Sequence, residues 1–451
     1  MRNLSLLQIV VFFIFISAII VAFLIFAGAL PGLRDNRFKN LTSPIEFWGV
    51  LPQQVIIPLI AEFNDKEEKN VPIHYTQFGE EEYLSRVVSA LAAGKGPDIW
   101  MLPQEHFIEN ITKVVIIGPK SYPERTFREN FSDGSEILLW PPGRVAAIPF
   151  LSDQLVLFWN RDLFRSAGIA DAPKNWAGFL TASQTLTKKN ATGQITQAGS
   201  ALGLFENNTH AKDIFSLFLL QIKNPITFLV SHGPQEDLRT NLRSAINESS
   251  FSTLPAIAES IRFFNQFADS RKQSYSWTRN MPDAQDAFTQ GLLAMYIGYA
   301  SEIAEIRNKN PHLDFDIAET PQISTESNHV TYAKLNTLVI SRQSESLRQT
   351  ASLILINFLT RSDIQSSIAE RFFLAPTSRT ALLKSHESSF LATIYTSAIK
   401  NKFWRDPDPA KTLVLLREMA DQAKLETKSI ESIINEAHLK MQLLLETVIL
   451  P

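Results

Sequence analysis

The chain has 451 residues, 45% hydrophobic and 20% charged, an ordinary globular composition at a length beyond what one hydrophobic core usually serves, so two domains are expected. A formal net charge of −3, with no long Lys/Arg block, leaves no electrostatic footprint for a phosphate backbone and argues against a nucleic-acid partner. The absence of cysteine excludes disulfides, thiolate metal sites, Cys nucleophiles and a lipidated-cysteine anchor.

The first element is residues 9–30, IVVFFIFISAIIVAFLIFAGAL, part of a stretch without any charge between Arg2 and Arg34. As a helix it would run roughly 33 Å, enough for a hydrocarbon core of about 30 Å. A cleaved signal peptide is the alternative, because Ala27-Gly28-Ala29 has the small-x-small form of a cleavage site. The apolar run is, however, longer than an h-region of about 7–15 residues. Residues 1–34 are therefore expected to be a transmembrane anchor, 35–43 a polar linker, and the remainder exported. Arg2 on one side and Arg34, Arg37 and Lys39 with Asp35 on the other code the orientation only weakly.

Ile45-Glu46-Phe47-Trp48-Gly49 reads as a first strand ending in a glycine turn. Val55, Ile56, Leu59, Ile60 and Phe63 follow at helical spacing, 71–78 alternates as a strand, and Tyr83, Leu84, Val87, Val88 and Leu91 mark a helix stopped by Gly94. A strand at 98–102 completes a strand–helix repeat typical of an α/β domain on a largely parallel sheet, whose ligands sit at the carboxyl ends of strands. Trp48 and Glu105 lie at such ends. Further on, 161–167 reads as a short helix closed by Gly168, Asn175 as the N-cap of a helix starting at Trp176, and 412–445 as closing amphipathic helix.

Between them, residues 145–159 form a single extended run far longer than a usual strand of about 5–6 residues. Val145 to Phe150 and Leu155 to Trp159 are apolar, with Ser152-Asp153-Gln154 interrupting. Desolvating an unpaired carboxylate is expensive. The run is therefore expected to serve one domain with its first half and another with its second, leaving the polar triplet in water between them.

The pattern Ile-Pro-Phe-Leu-Ser-Asp at 148–153, Leu-Phe-Trp-Asn-Arg-Asp-Leu-Phe at 157–164 and Lys-Asn-Trp at 174–176 resembles the extracellular solute-binding proteins of ABC importers, specifically the maltose-binding-protein-like class. Gly-Lys-Gly-Pro-Asp-Ile-Trp at 94–100 and Ala-Phe-Thr-Gln-Gly-Leu-Leu-Ala-Met-Tyr-Ile-Gly at 287–298 agree, and the likeness spans roughly residues 44–451. It implies an α/β, two-lobed periplasmic-binding-protein-like fold with hinge-crossing segments, preceded here by the one N-terminal transmembrane helix. Lobe 1 would be 44–148 with 284–330, lobe 2 would be 149–283 with 331–451, and crossings would fall near Phe150, 277–283 and 331–335. Tyr332-Ala333-Lys334 stands where many relatives carry a glycine pair.

By the same resemblance Asp153 and Glu105 are expected to accept hydrogen bonds from ligand hydroxyls, the alternatives being a hinge residue bonding local backbone and an ordinary loop glutamate. Trp48, Trp277, Tyr299 and Tyr332 are the expected cleft aromatics, because sugar rings stack on flat apolar faces. Ser301 and Glu302, between a strand and a helix, could receive an oxygen-rich ligand, or Ser301 could simply cap the helix. Trp100, Trp159 and Trp176 are assigned to packing, and Asp98 to turn backbone.

The expected partners are a small hydrophilic solute, an ABC permease and the membrane, with no metal or other cofactor. A solute receptor without a transporter is one alternative. A glycoside hydrolase using carboxylates among Asp153, Glu105 and Glu302 is another, although no nucleophile elbow, zinc motif or P-loop is present.

Overall fold

The computed structural model describes residues 43–66, 71–141, 143–232, 239–323 and 329–448, together with 15–18, 38, 41 and 450. Apart from 15–18, the expected membrane helix lies outside the described residues, and among those described no helix is long and apolar enough to cross a membrane.

The first elements are β1 (Ile45–Gly49), α1 (Gln53–Lys66), β2 (Ile73–Gln77), α2 (Glu80–Ala92) and β3 (Ile99–Pro103). β1 lies between β2 and β3 and is parallel to both. α1 buries Val55, Ile56, Ile60 and Phe63, and α2 buries Tyr83, Val87 and Leu91, one turn apart. α2 is followed by Gly94 at φ +69°, a left-handed conformation that glycine adopts without strain. Asp98 at the foot of β3 accepts from the Glu46 amide (2.9 Å), Ser344 Oγ (2.7 Å) and Arg348 Nε (2.8 Å), a structural role.

The long run becomes β4 (Ile148–Asn160). After it come α3 (Trp176–Leu186), β5 (Ile195–Ser200), α4 (Ala211–Gln221), α5 (Leu254–Asn265), β6 (Leu293–Tyr299), α6 (Glu302–Lys309), β7 (Phe315–Glu319), β8 (Ala333–Ile340), α7 (Ser346–Leu359), α8 (Pro409–Leu425) and α9 (Ile430–Glu446). α3 begins as expected, with the Asn175 side chain accepting from Gly178 N at 2.8 Å. The closing helical region is two helices, broken where Glu426 turns left-handed at φ 55°.

β4 is held differently along its length. Its first half pairs with β8, which lies antiparallel between β3 and β4, and Ala375–Pro376 pairs with Ser152 and Leu151. The second half pairs with β6 over Leu155 to Trp159 and with β7 over Val156 to Asn160. Because side chains alternate across a strand, Leu155 and Leu157 enter one hydrophobic core while Val156 and Phe158 enter another, with Trp277, Phe288, Tyr296 and Ile303. α7 belongs with the first lobe, where Phe358 meets Phe63 at 5.4 Å between ring centroids. α8 packs on the second, where Asn265 at the end of α5 donates to the Ala420 carbonyl (2.8 Å).

These pairings reverse part of the expected division. Residues 284–330 carry β6 and β7, which extend the second half of β4, and residues 333–340 are a central strand of the first lobe. The chain thus re-enters lobe 1 between β7 and β8, at the crossing expected near 331–335. No crossing lies at 277–283, where Trp277 is fully buried in the second core.

Candidate ligand site at the lobe crossing

Strand directions fix where a ligand could be met. β1 and β3 run parallel, and β4 and β8 alternate direction beside them, so β4 leaves lobe 1 at the edge where β1 and β3 end. In lobe 2, β6 is antiparallel to β4 and parallel to β5, so both run back toward the crossing. The carboxyl ends of the sheet strands in both lobes therefore converge on one region, the usual position for ligands in α/β sheets.

Register then decides which side chains share a face there. Asp153 is opposite Lys334, and Leu155 is opposite Tyr299. Cross-strand partners point the same way and alternate residues repeat it, so Asp153, Tyr299, Tyr332 and Lys334 share one face.

The triplet is not in water. Ser152, Asp153 and Gln154 are 2%, 8% and 0% exposed. The reason is that β4 keeps neighbours on both edges through the crossing: Leu155 N donates to the Tyr332 carbonyl and Ala300 N to the Gln154 carbonyl, each at 2.9 Å. Gln154 donates to Ser152 Oγ at 2.8 Å on one face. On the other, Asp153 Oδ1 accepts from Ser301 N (3.1 Å) and Oδ2 from Ser301 Oγ (2.6 Å). Burial pushes the Asp153 carboxyl up to about 6, against the Ser301 bonds and the Lys334 charge that pull it down. Ser301 spends its hydroxyl on Asp153 and makes no side-chain cap for α6.

Glu302 is saturated. Its Oε1 meets His210 Nε2 (2.7 Å) and the Tyr299 amide (2.8 Å), and its Oε2 meets the Tyr296 hydroxyl (2.6 Å) and Gln285 Nε2 (2.8 Å). Four donors fill the roughly four lone-pair positions of a carboxylate, so Glu302 has no capacity left for a ligand and instead fixes the start of α6 against α4. Burial works against its charge, but His210, then Tyr296 and Gln285, hold the carboxyl down at about 2.

Other polar groups beside it are less fully partnered among the described residues. The Tyr299 hydroxyl is buried without a hydrogen bond of normal geometry. After burial itself, the facing Asp213 carboxylate is the main influence raising that phenol. Asp213, in the first turn of α4, is 8% exposed and forms no ion pair among the described residues. Glu105, just beyond β3, has among the described residues only His106 Nε2, at 4.0 Å. Lys334 is exposed, with Nζ 4.3 Å from the Tyr299 ring centre, and among the described residues it makes no hydrogen bond or ion pair. Surrounding protein disfavours its charge by displacing water, yet Asp213, Glu105, Asp153 and Glu302 outweigh that and raise the ammonium above its ordinary value.

The structure therefore gathers Glu105, Asp153, Tyr299, Ser301, Glu302 and Tyr332 into one neighbourhood. Tyr332 is 4% exposed, its phenol raised by burial and then by Asp213 and Glu105. Trp48 sits half-buried at the end of β1, its ring 4.9 Å from Phe78, and among the described residues no hydrogen bond or ring contact joins it to the group. Trp277 is inside the second core, its indole N–H donating to Asn207 Oδ1 at 2.8 Å, with no face left for stacking. Sequence reasoning missed Asp213 and His210. Their signal was present as a polar His-Ala-Lys-Asp turn opening an otherwise apolar helix.

Residues 58–390 match the bacterial extracellular solute-binding proteins. The chain belongs to that family. A binding protein of Brucella abortus (strain 2308) is 19% identical over 318 residues, 70% of this chain and 71% of the relative. The cyclic α-maltosyl-1,6-maltose binding protein from Arthrobacter globiformis superposes with a TM-score of 0.69 at 15% identity, covering 90% of this chain and 100% of that one. An ABC transporter solute-binding protein from Thermotoga lettingae TMO, bound with α-D-tagatose, gives 0.60 at 18% identity over the same shares. Both solved structures carry the two-lobed fold. As an extracellular solute-binding protein, the chain has its folded body on the extracellular or periplasmic side.

Proposed function

We propose that this solute-binding protein captures a small uncharged polyhydroxylated solute, a mono- or oligosaccharide, at the crossing between its lobes and delivers it to an ABC permease, with residues 9–30 tethering it to the membrane. The observation that carries this reading is the set of under-partnered polar groups on one face: the Lys334 ammonium, the Asp213 and Glu105 carboxylates and the Tyr299 hydroxyl. Buried polar groups ordinarily find partners, so the buried Asp213 carboxylate and Tyr299 hydroxyl, with the exposed Lys334 and part-exposed Glu105 beside them, mark a place where a polar molecule completes the bonding. Sugar hydroxyls donate and accept at once, which suits an ammonium beside carboxylates, and tyrosine rings offer stacking faces.

Reversible capture without chemistry fits a site where Glu302 is fully occupied by protein donors. The sugars bound by the Arthrobacter and Thermotoga proteins support the ligand class. Lobe rotation about the crossing segments is the means of opening, as in hinge-closing binding proteins generally.

Thermal-shift measurement on the purified full chain in detergent tests the proposal. A sugar at about 100 times its dissociation constant should stabilise the fold by about 2.7 kcal/mol. If mono- and oligosaccharides all leave the melting point unmoved while a cationic or anionic solute raises it, the carbohydrate assignment is wrong.

A further inference from the structure

We infer that Lys334 is a tethered cation that makes this site discriminate against positively charged ligands and in favour of uncharged ones. The inference rests on the carbohydrate reading and names what would select within that class.

Without Lys334 the neighbourhood would be acidic. Glu105 comes from the end of β3, Asp153 from β4 and Asp213 from α4, and none of the three is neutralised by a close Lys or Arg among the described residues. The nearby cations are committed elsewhere: His210 to Glu302, and Lys212 to Asp406 and the Pro409 carbonyl. An acidic cluster flanked by tyrosines is by itself a good receptor for an ammonium, because carboxylates attract it and aromatic faces bind it. Lys334 already supplies that ammonium. It stands directly across the ladder from Asp153 and lies over the Tyr299 ring at 4.3 Å, where a ligand's cation would lie.

Lys334 is also free to serve rather than merely to plug the site. Its side chain is exposed and fixed by no hydrogen bond or ion pair among the described residues, so it can swing and donate to a ligand hydroxyl while keeping its charge beside the carboxylates. A flexible four-carbon stem with three rotatable donors suits that task better than a rigid guanidinium. An incoming neutral sugar meets a balanced site. An incoming amine meets a like charge within a few ångströms, a repulsion worth about tenfold or more in affinity at such range.

The test uses the full chain, wild type and the Lys334→Met and Lys334→Arg variants, with matched probes: the neutral sugar giving the largest melting shift in the panel, and its amino-sugar counterpart at a pH where the amine is protonated. Calorimetry gives each dissociation constant. Wild type and Lys334→Arg should prefer the neutral sugar by about tenfold or more, and in Lys334→Met the preference should vanish or reverse. Because the surrounding carboxylates favour the Lys334 charge in the folded state, Lys334→Met should lower the unliganded melting point, and circular dichroism establishes that the variant is folded at the temperature of the titrations. If Lys334→Met keeps the wild-type preference, the discriminating role is wrong while the sugar reading survives. If it binds neither probe, Lys334 is a plain contact and the inference also fails. If no neutral sugar binds even the wild type, the carbohydrate reading falls and takes the inference with it.

Discussion

Replacing Asp153 by Asn removes a buried charge without changing the shape that meets Ser301. In the folded chain the Asp153 carboxyl titrates at about 6, against 3.8 for the unperturbed group. Roughly two pH units at about 1.4 kcal/mol each make its ionised form about 3 kcal/mol less favourable in the folded state than its protonated form. The sign follows from the direction of the shift. Above pH 6 both states are ionised and the folded state bears the full penalty. As pH falls from about 6 to 3.8 the folded state takes up a proton first and stability rises. The Asn variant has no such titration. Wild type should therefore gain up to about 3 kcal/mol on Asp153→Asn across that window. The Ser301 bonds are already counted in the shifted titration, so the two should lie close together at the acid end, where the carboxyl is protonated, and at neutral pH the Asn variant should be the more stable by up to about 3 kcal/mol. Urea midpoints followed by both fluorescence and circular dichroism, from pH 4 to 7.5, give the difference, and groups common to both proteins cancel. A difference that stays flat with pH would falsify the buried, protein-bonded placement of Asp153 and restore the wet triplet expected from sequence.

Two further substitutions separate frame from site. Glu302→Gln should be about 3 kcal/mol less stable than wild type at neutral pH, because the carboxyl is held at about 2 against an ordinary 4.5, and the gap should close as pH falls from about 4.5 toward 2; an unchanged neutral-pH urea midpoint would mean that the His210 and Tyr296 contacts carry no weight. Trp277→Phe removes the N–H that meets Asn207 and should lower stability by about 1–3 kcal/mol while leaving ligand affinity untouched; a large rise in the dissociation constant would return Trp277 to the binding face.

Local pattern carried much of this structure. The bounds of β1, the existence of α1, the start of α3, the Gly94 stop and the exceptional length of β4 all follow from apolar spacing and capping residues that act within a few positions of one another. The division of 284–330 and 331–451 between lobes did not, because β8 is inserted between β3 and β4 by pairings to residues far away in sequence, which no local period records. The same limit explains Asp153. Sequence shows a carboxylate interrupting an apolar strand, and the economical inference is water. Its true partner, Ser301, arrives from 148 residues away. Lys334 was noticed only as a departure from a glycine pair. Its importance emerges when the ladder sets it opposite Asp153.

The position of β8 governs how the chain can be made. Its residues 333–340 complete the sheet of a lobe that begins at Ile45, with the whole of β5 to β7 and their helices synthesised in between. A nascent chain therefore carries β3 and the first half of β4 with an unfilled slot between them until about three-quarters of its length has emerged. Such late closure keeps the early lobe from locking on the ribosome and suits a polypeptide threaded through a translocation pore before it folds.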